Sequence, residues 1–269
     1  MAADLPGDGE LRLGSVVLPA GRRVAPDDDE PPVAWVTTQA LPEPGPVWAA
    51  LAELREQTGL VPVLLPHDGD QMSADWFFTE PGDLAEAGRL QAADVLAARW
   101  EYKLPDGAED EMEGGRLSAM HAPFSRQFPG LASAQASSLT PGLRHGALHT
   151  LAPARIGLVP AQRPGDVLPV VGWSTFDEFY EPVPVSNATW LAAVLRSWED
   201  RFGATLLSIG PRAEIQLLLD RPPQTTQAAL AIAAEHYAAA DRSGNPGERD
   251  IQSIAKTLVG APTWTLWWT

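Results

Sequence analysis

SNATWLAAVLRSWEDRFGATLLSIGPRAEIQLLLD, residues 186–220, carries the reading on which the fold rests. Ser186 and Asn187 supply a helix cap, and Leu191, Val194, Leu195, Trp198 and Phe202 then recur at helical spacing until Gly203 closes the helix. From Thr205 to Asp220 two strands flank Gly210-Pro211-Arg212. In the second, Ala213, Ile215, Leu217 and Leu219 alternate with Glu214, Gln216 and Leu218, so one face is buried and the other partly wet.

Downstream, Pro222-Pro223 breaks the chain, Thr225 caps a helix running to about Asp241, and a shorter helix occupies Asp250 to Val259. Thr263 to Trp268 reads as a terminal strand. Upstream, Arg155 to Val159 and Val167 to Gly172 are apolar runs bounded by Pro and Gly, which suits strands. The order strand, helix, strand, strand, helix, strand, with one extra helix before the last strand, is the split β-α-β arrangement of ferredoxin-like folds. Residues 155–269 are therefore expected to form an α+β domain, an antiparallel-containing sheet with helices on one face.

Further out the pattern loosens. Residues 33–104 read as a smaller α/β region. It has a strand from Val33 to Thr37, and a helix opened by Pro46, carrying Trp48, Leu51, Leu54 and Arg55, and ended by Thr58-Gly59. A second strand runs from Leu60 to Leu65. A polar turn then leads to a helix from about Asp83 to Lys103 with Leu96 and Trp100 on its buried face. Residues 1–32 read as a loose tail with one short strand near Ser15 to Leu18, ending in the acidic run Asp27, Asp28, Asp29, Glu30. Residues 105–154 hold Glu109, Asp110, Glu111, Glu113, paired glycines and a tract rich in Ser, Ala, Gly and Pro, and read as a flexible linker or insertion.

Composition excludes several functions. The 269 residues carry 35 acidic against 19 basic side chains, a formal charge of −16. A protein that grips a nucleic-acid backbone needs the opposite balance, so no nucleic-acid partner is expected. With no cysteine, disulfides, thiolate metal sites and Cys nucleophiles are out. The start MAADLPGDGELRLG has acids at Asp4, Asp8 and Glu10 and no apolar run of a secretory signal, which predicts a cytoplasmic protein. The longest apolar stretch, Ala228 to Ala234, falls far short of the ~20 residues that span a bilayer, so no membrane partner is expected.

The string LRSWEDRFG at Leu195 to Gly203, with Val171-Gly172-Trp173 before it, Ala233-Ala234-Glu235-His236 after it and the paired Trp267-Trp268, resembles the bacterial domain-of-unknown-function family numbered 4253. The resemblance covers about residues 155–269, and the earlier strings LPAGRRVAPDD and TGLVPVLL are similar to what commonly precedes that domain. Two positions depart from the family pattern. Tyr237 is followed by Ala238, Ala239 and Ala240 where relatives have aromatic and Cys positions, and Thr269 stands where an acid tends to follow the tryptophans. The resemblance implies fold and domain limits but no established activity.

Candidate sites each carry two readings. Arg196, Glu199, Asp200 and Arg201 form the densest charge cluster. As a solvated helix face they are worth a few tenths of a kcal/mol per pair. As a site, Arg201 would grip a carboxylate or phosphate bidentately and Glu199 would be a base if its pKa were raised. His236 shares a helix face with Ile232 and reads as a structural histidine, or else as a catalytic one if Glu199 or Asp200 reaches it. His145 and His149 have the H-x-x-x-H spacing of a metal-binding helix face, but Gly146 is a poor helix former, so no metal is expected. Gly172-Trp173-Ser174-Thr175-Phe176 lacks the second Gly of a nucleophile elbow, and no phosphate-binding glycine loop occurs, so no cofactor is expected.

Ten tryptophans stand beside three tyrosines and seven phenylalanines, a weighting that favours either a packed core or indole binding anchors. Trp173, Trp198, Arg201 and Trp267 come from segments that could converge on one sheet as such anchors. The leading expectation is a non-catalytic protein-binding module, inhibitor- or immunity-like toward a basic partner. The alternative is a hydrolase or transferase using Glu199, Asp200 and His236.

Overall fold

The amino-terminal residues form a hairpin rather than a loose tail. In the computed structural model, which describes residues 3–27, 29–66, 81–124, 126–174, 182–210, 213–244 and 247–268, β1 (Gly9–Leu13) is followed by β2 (Val16–Val24) through Gly14 at φ 56°. β2 pairs antiparallel with β3 (Ala34–Thr37). Leu18 is buried and Leu11 and Leu13 pack beside it, so alternate apolar residues hold the hairpin down beneath a composition rich in Pro and Gly. Gly21 lies so close to the Trp35 ring that a Cβ there would overlap it.

Next come α1 (Pro44–Glu53), α2 (Arg55–Thr58) and β4 (Leu60–Pro66), with Gly59 left-handed at φ 66° where the sequence places a helix end. The single helix expected from Asp83 to Lys103 is two. α3 (Leu84–Ala87), capped by Asp83, stops at Gly88, and α4 (Ala92–Tyr102) begins after Gln91 with Leu96 and Trp100 buried as expected. Glycine is a weak helix former, which suits a break there. Residues expected as a linker carry α5 (Gly107–Met112), α6 (Arg116–Met120) and α7 (Pro141–His149), capped by Asp106 and Thr140 in the first and last.

β5 (Ala154–Pro160) follows. Val167 to Gly172, expected as a strand, is the helix α8 (Val167–Val171), entered through a 3-10 turn at Pro164–Asp166 and closed by left-handed Gly172. A short run buried on nearly every side carries no period that separates strand from helix. α9 (Asn187–Phe202), β6 (Thr205–Gly210), β7 (Glu214–Leu218), α10 (Thr226–Ala239), α11 (Ile251–Leu258) and β9 (Thr263–Trp267) stand where the sequence puts them, and β8 (Arg242–Ser243) is an addition. Pro211, Arg212, Thr269 and the polar turn after Leu65 fall outside the described residues.

All these strands belong to one mixed, mostly antiparallel sheet of order β1-β2-β3-β5-β4-β6-β7-β9-β8, whose parallel junction is β4 with β6 at Leu64 and Ser208. The interleaved order of a ferredoxin-like sheet is not present, because β4 lies between β5 and β6. The reason is in β4 itself. Val61, Val63 and Leu65 feed one core and Leu60 and Leu64 the other, so it is stable only where both faces are covered.

Helices cover both faces of the whole sheet, although those of residues 155–269, α8 to α11, all pack on one face as expected and the other face is covered by helices from earlier in the chain. α4, α8, α9, α10 and α11 pack on the first around Trp100, Trp198 and Trp264. On the second, α1 and α7 bring Trp48 and Leu148 against Leu64 and Ile156, and the Trp48 indole donates to the Pro62 carbonyl at 2.9 Å. Among the described residues no helix is long and apolar enough to cross a membrane.

Candidate functional site

Helical spacing on α9 puts Trp198 and Arg201 toward α10, and there they meet Glu235, which is wholly buried. Arg201 donates from both terminal nitrogens to the two Glu235 oxygens at 2.7 Å, Trp198 Nε1 donates at 2.8 Å, and the Ala132 amide donates at 2.6 Å. Arg201 also donates to the Ala132 carbonyl at 2.8 Å, so the extended chain between α6 and α7 is held on both sides of one residue. A carboxylate with four donors is fully compensated and has no lone pair left for a substrate.

His236, one residue on, points elsewhere. It is fully buried between the Trp198 and Trp264 rings, at centroid distances of 4.9 and 4.6 Å, and its Nδ1 shares a 2.6 Å hydrogen bond with Ser243 Oγ. Burial, with the positive Arg201 nearby, pushes its pKa down to about 3, so the ring is neutral. Histidine beside serine is the chemistry of an activated nucleophile, yet Ser243 is also wholly buried and nothing could reach its hydroxyl. His236 Nε2 and Trp264 Nε1 have no hydrogen-bond partner among the described residues.

Glu199 and Asp200 are not brought to His236. Arg163 donates from Nε to Glu199 at 3.1 Å and from Nη2 to Asp200 at 2.6 Å, while Arg55 lies 3.9 Å from Glu199. Burial raises the Glu199 pKa against the pull of Arg163 and Arg55. The carboxylates thus belong to an arginine network at the half-buried edge of α9, and the histidine to the interior.

Of the four expected anchors, Trp198 and Arg201 converge on Glu235, and the other two lie apart. Trp173 is buried edge-on against Trp268 at 5.2 Å. Trp267 is half-exposed and donates to Glu214 at 2.6 Å, where burial raises the carboxyl pKa against that hydrogen bond. His145 and His149 do share a helix after all, with exposed rings 4.0 Å apart, although no group of three metal-ligating side chains occurs among the described residues. Thr175 and Phe176 of the elbow-like string lie outside the described residues.

An exposed surface with apolar and charged side chains lies elsewhere, at the end of α4. A groove of about 500 Å³ is floored by Leu104, Leu117, Met120 and Tyr237 and edged by Glu109, Asp241 and the basic Arg249. Tyr102 on its rim is 55% exposed and Met112, one turn after Glu109, is 88% exposed. Glu101, Asp106, Asp110, Glu111 and Glu113 are their neighbours in sequence, Glu113 being paired with Arg116. Asp110 is held below the usual carboxyl range by the Ser118 hydroxyl and amide. Lys103, the lysine of this face, is turned to the Ala240 carbonyl at 2.6 Å and to Asp241. The signal for this surface was present as a methionine inside an acid run, where a linker reading gives it no work.

The family described as Domain of unknown function (DUF4253) matches residues 155–269, the carboxy-terminal part of the chain. No curated protein and no solved structure matches the chain.

Proposed function

We propose that the protein is a non-catalytic binding module that takes a basic segment of a partner protein into the groove at the end of α4. The observation that supports it is the occurrence of two large exposed apolar side chains, Tyr102 and Met112, in a sequence stretch dense in acids, with Glu109 and Asp241 lining the groove beside Tyr102. Apolar area supplies the affinity and the acids supply steering and register. With a net charge of −16 the whole molecule attracts such a partner before contact. An inhibitor- or immunity-like action on a basic protein accords with this sign. A bacterial cytoplasmic setting belongs to the same reading, supported by the family resemblance and the cysteine-free composition.

The test is titration of the full chain with a synthetic Arg- and Lys-containing amphipathic peptide and with a scrambled control, at low and high salt. Saturable binding that weakens with salt and is lost in Met112→Asp and in Tyr102→Ala supports the reading. Equal binding of wild type and both variants, or no binding, overturns it.

A further inference from the structure

A second concavity of about 630 Å³ opens between α2, α3 and the middle of α9, within the roughly 300–1,000 Å³ of small-molecule sites. Arg55, Asp166 and Arg196 line it together with Glu56 and Gln162, and Leu84 and Ala161 give it an apolar wall. Among the described residues its charged side chains balance, two guanidinium groups against two carboxylates.

The donors and acceptors of this cleft are only half used. Arg196 Nε donates to Asp166 Oδ1 at 2.6 Å, but its two Nη groups donate to no described residue. The Arg55 side chain makes no hydrogen bond among the described residues, and it lies 3.9 Å from Glu199, whose carboxylate Arg163 holds at 3.1 Å. The Asp166 side chain is only 8% exposed, and its Oδ2 accepts nothing from the described residues yet is not sealed from solvent. A buried carboxylate left open on one side, with fork-shaped donors beside it, is an arrangement that needs a partner.

We propose that this cleft binds a small zwitterion, an α-amino acid with an apolar side chain, through Arg55 and Arg196 on its carboxylate and Asp166 on its ammonium group. The side chain lies along Leu84 and Ala161. Charge decides between this ligand and a simple anion. A molecule carrying −16 repels phosphates and polycarboxylates at long range, whereas a neutral zwitterion is not repelled and meets both signs inside. This site lies apart from the acidic groove and does not depend on it.

Calorimetric titration of the full chain with leucine, valine, methionine and phenylalanine tests the assignment. Isocaproate, which is leucine without its ammonium, and isoamylamine, which is leucine without its carboxylate, serve as controls. Saturable one-to-one binding of at least one amino acid at about millimolar concentration or below is expected, weakened at least about tenfold in both truncated analogues of leucine if leucine is the amino acid that binds. Arg55→Gln, which removes a side chain that supports little of the fold, is expected to weaken it at least about tenfold, and Asp166→Asn likewise. The proposal is overturned if no amino acid binds saturably, if leucine binds saturably and a truncated analogue binds as well, or if Arg55→Gln binds as wild type.

Discussion

Arg201 and Glu235, 34 residues apart, form a bidentate pair in which each terminal nitrogen lies 2.7 Å from its own carboxylate oxygen, inside the junction of two helices. Removing the arginine leaves a wholly buried carboxylate with two uncharged donors, Trp198 and Ala132. Arg201→Ala should therefore destabilise the protein by about 3–5 kcal/mol, measured by urea denaturation. Amide exchange at Ala132 should accelerate in the same variant. A loss under about 1 kcal/mol would show that water compensates Glu235 instead.

His236 makes stability depend on pH. Its folded pKa is about 3 against an ordinary 6.5, so between these values the unfolded chain binds a proton that the folded chain refuses. The stability present above pH 6.5 is therefore lost as pH falls toward 3, with a slope of up to about 1.4 kcal/mol per pH unit. His121, lowered first by burial and then by Arg126, acts in the same direction. His236→Gln should flatten this part of the curve, which denaturation at a series of pH values would reveal; an unchanged slope would assign it to other groups.

Gly45 is where α1 touches α7. A Cβ there would stand 2.0 Å from the Leu148 carbonyl oxygen, which is backbone and cannot swing aside. Gly45→Ala should cost about 1–3 kcal/mol and lower the melting temperature, although alanine is the better helix former elsewhere.

Arg163 offers the contrast of a half-exposed network. Arg163→Ala should cost only about 1 kcal/mol, because its ion pairs with Glu199 and Asp200 are open to solvent. Its clearer effect is on protonation. Burial already raises the Glu199 pKa and Arg163 is the largest influence opposing it, so the variant should titrate Glu199 at still higher pH in a carboxyl NMR experiment. An unchanged titration would mean that Arg55 suffices to hold the charge.

These outcomes bear on what could be read from the residues in order. The α9 helix was legible from Leu191 to Phe202 because its contacts recur at one period, and Gly203 closes it in the left-handed conformation that the sequence implies. The same reading put Trp198 and Arg201 among binding anchors. It had no means of knowing that a buried Glu235 takes up both. Pro and Gly obscured the first hairpin, and a five-residue apolar helix at Val167–Val171 looked like a strand because complete burial erases periodicity.

By itself, the sequence determined α9, β6, β7, α10, α11 and β9, the Thr225 cap and the Gly203 helix end, the acidic charge and the family resemblance of residues 155–269, since each is written in neighbouring side chains. The tertiary structure alone decided that β4 enters the sheet between β5 and β6, that helices cover both faces, and that His236 faces Ser243 instead of a carboxylate. The physical reason is that strand order and buried ion pairs depend on which distant surfaces exclude water together, and no spacing along the chain records that choice.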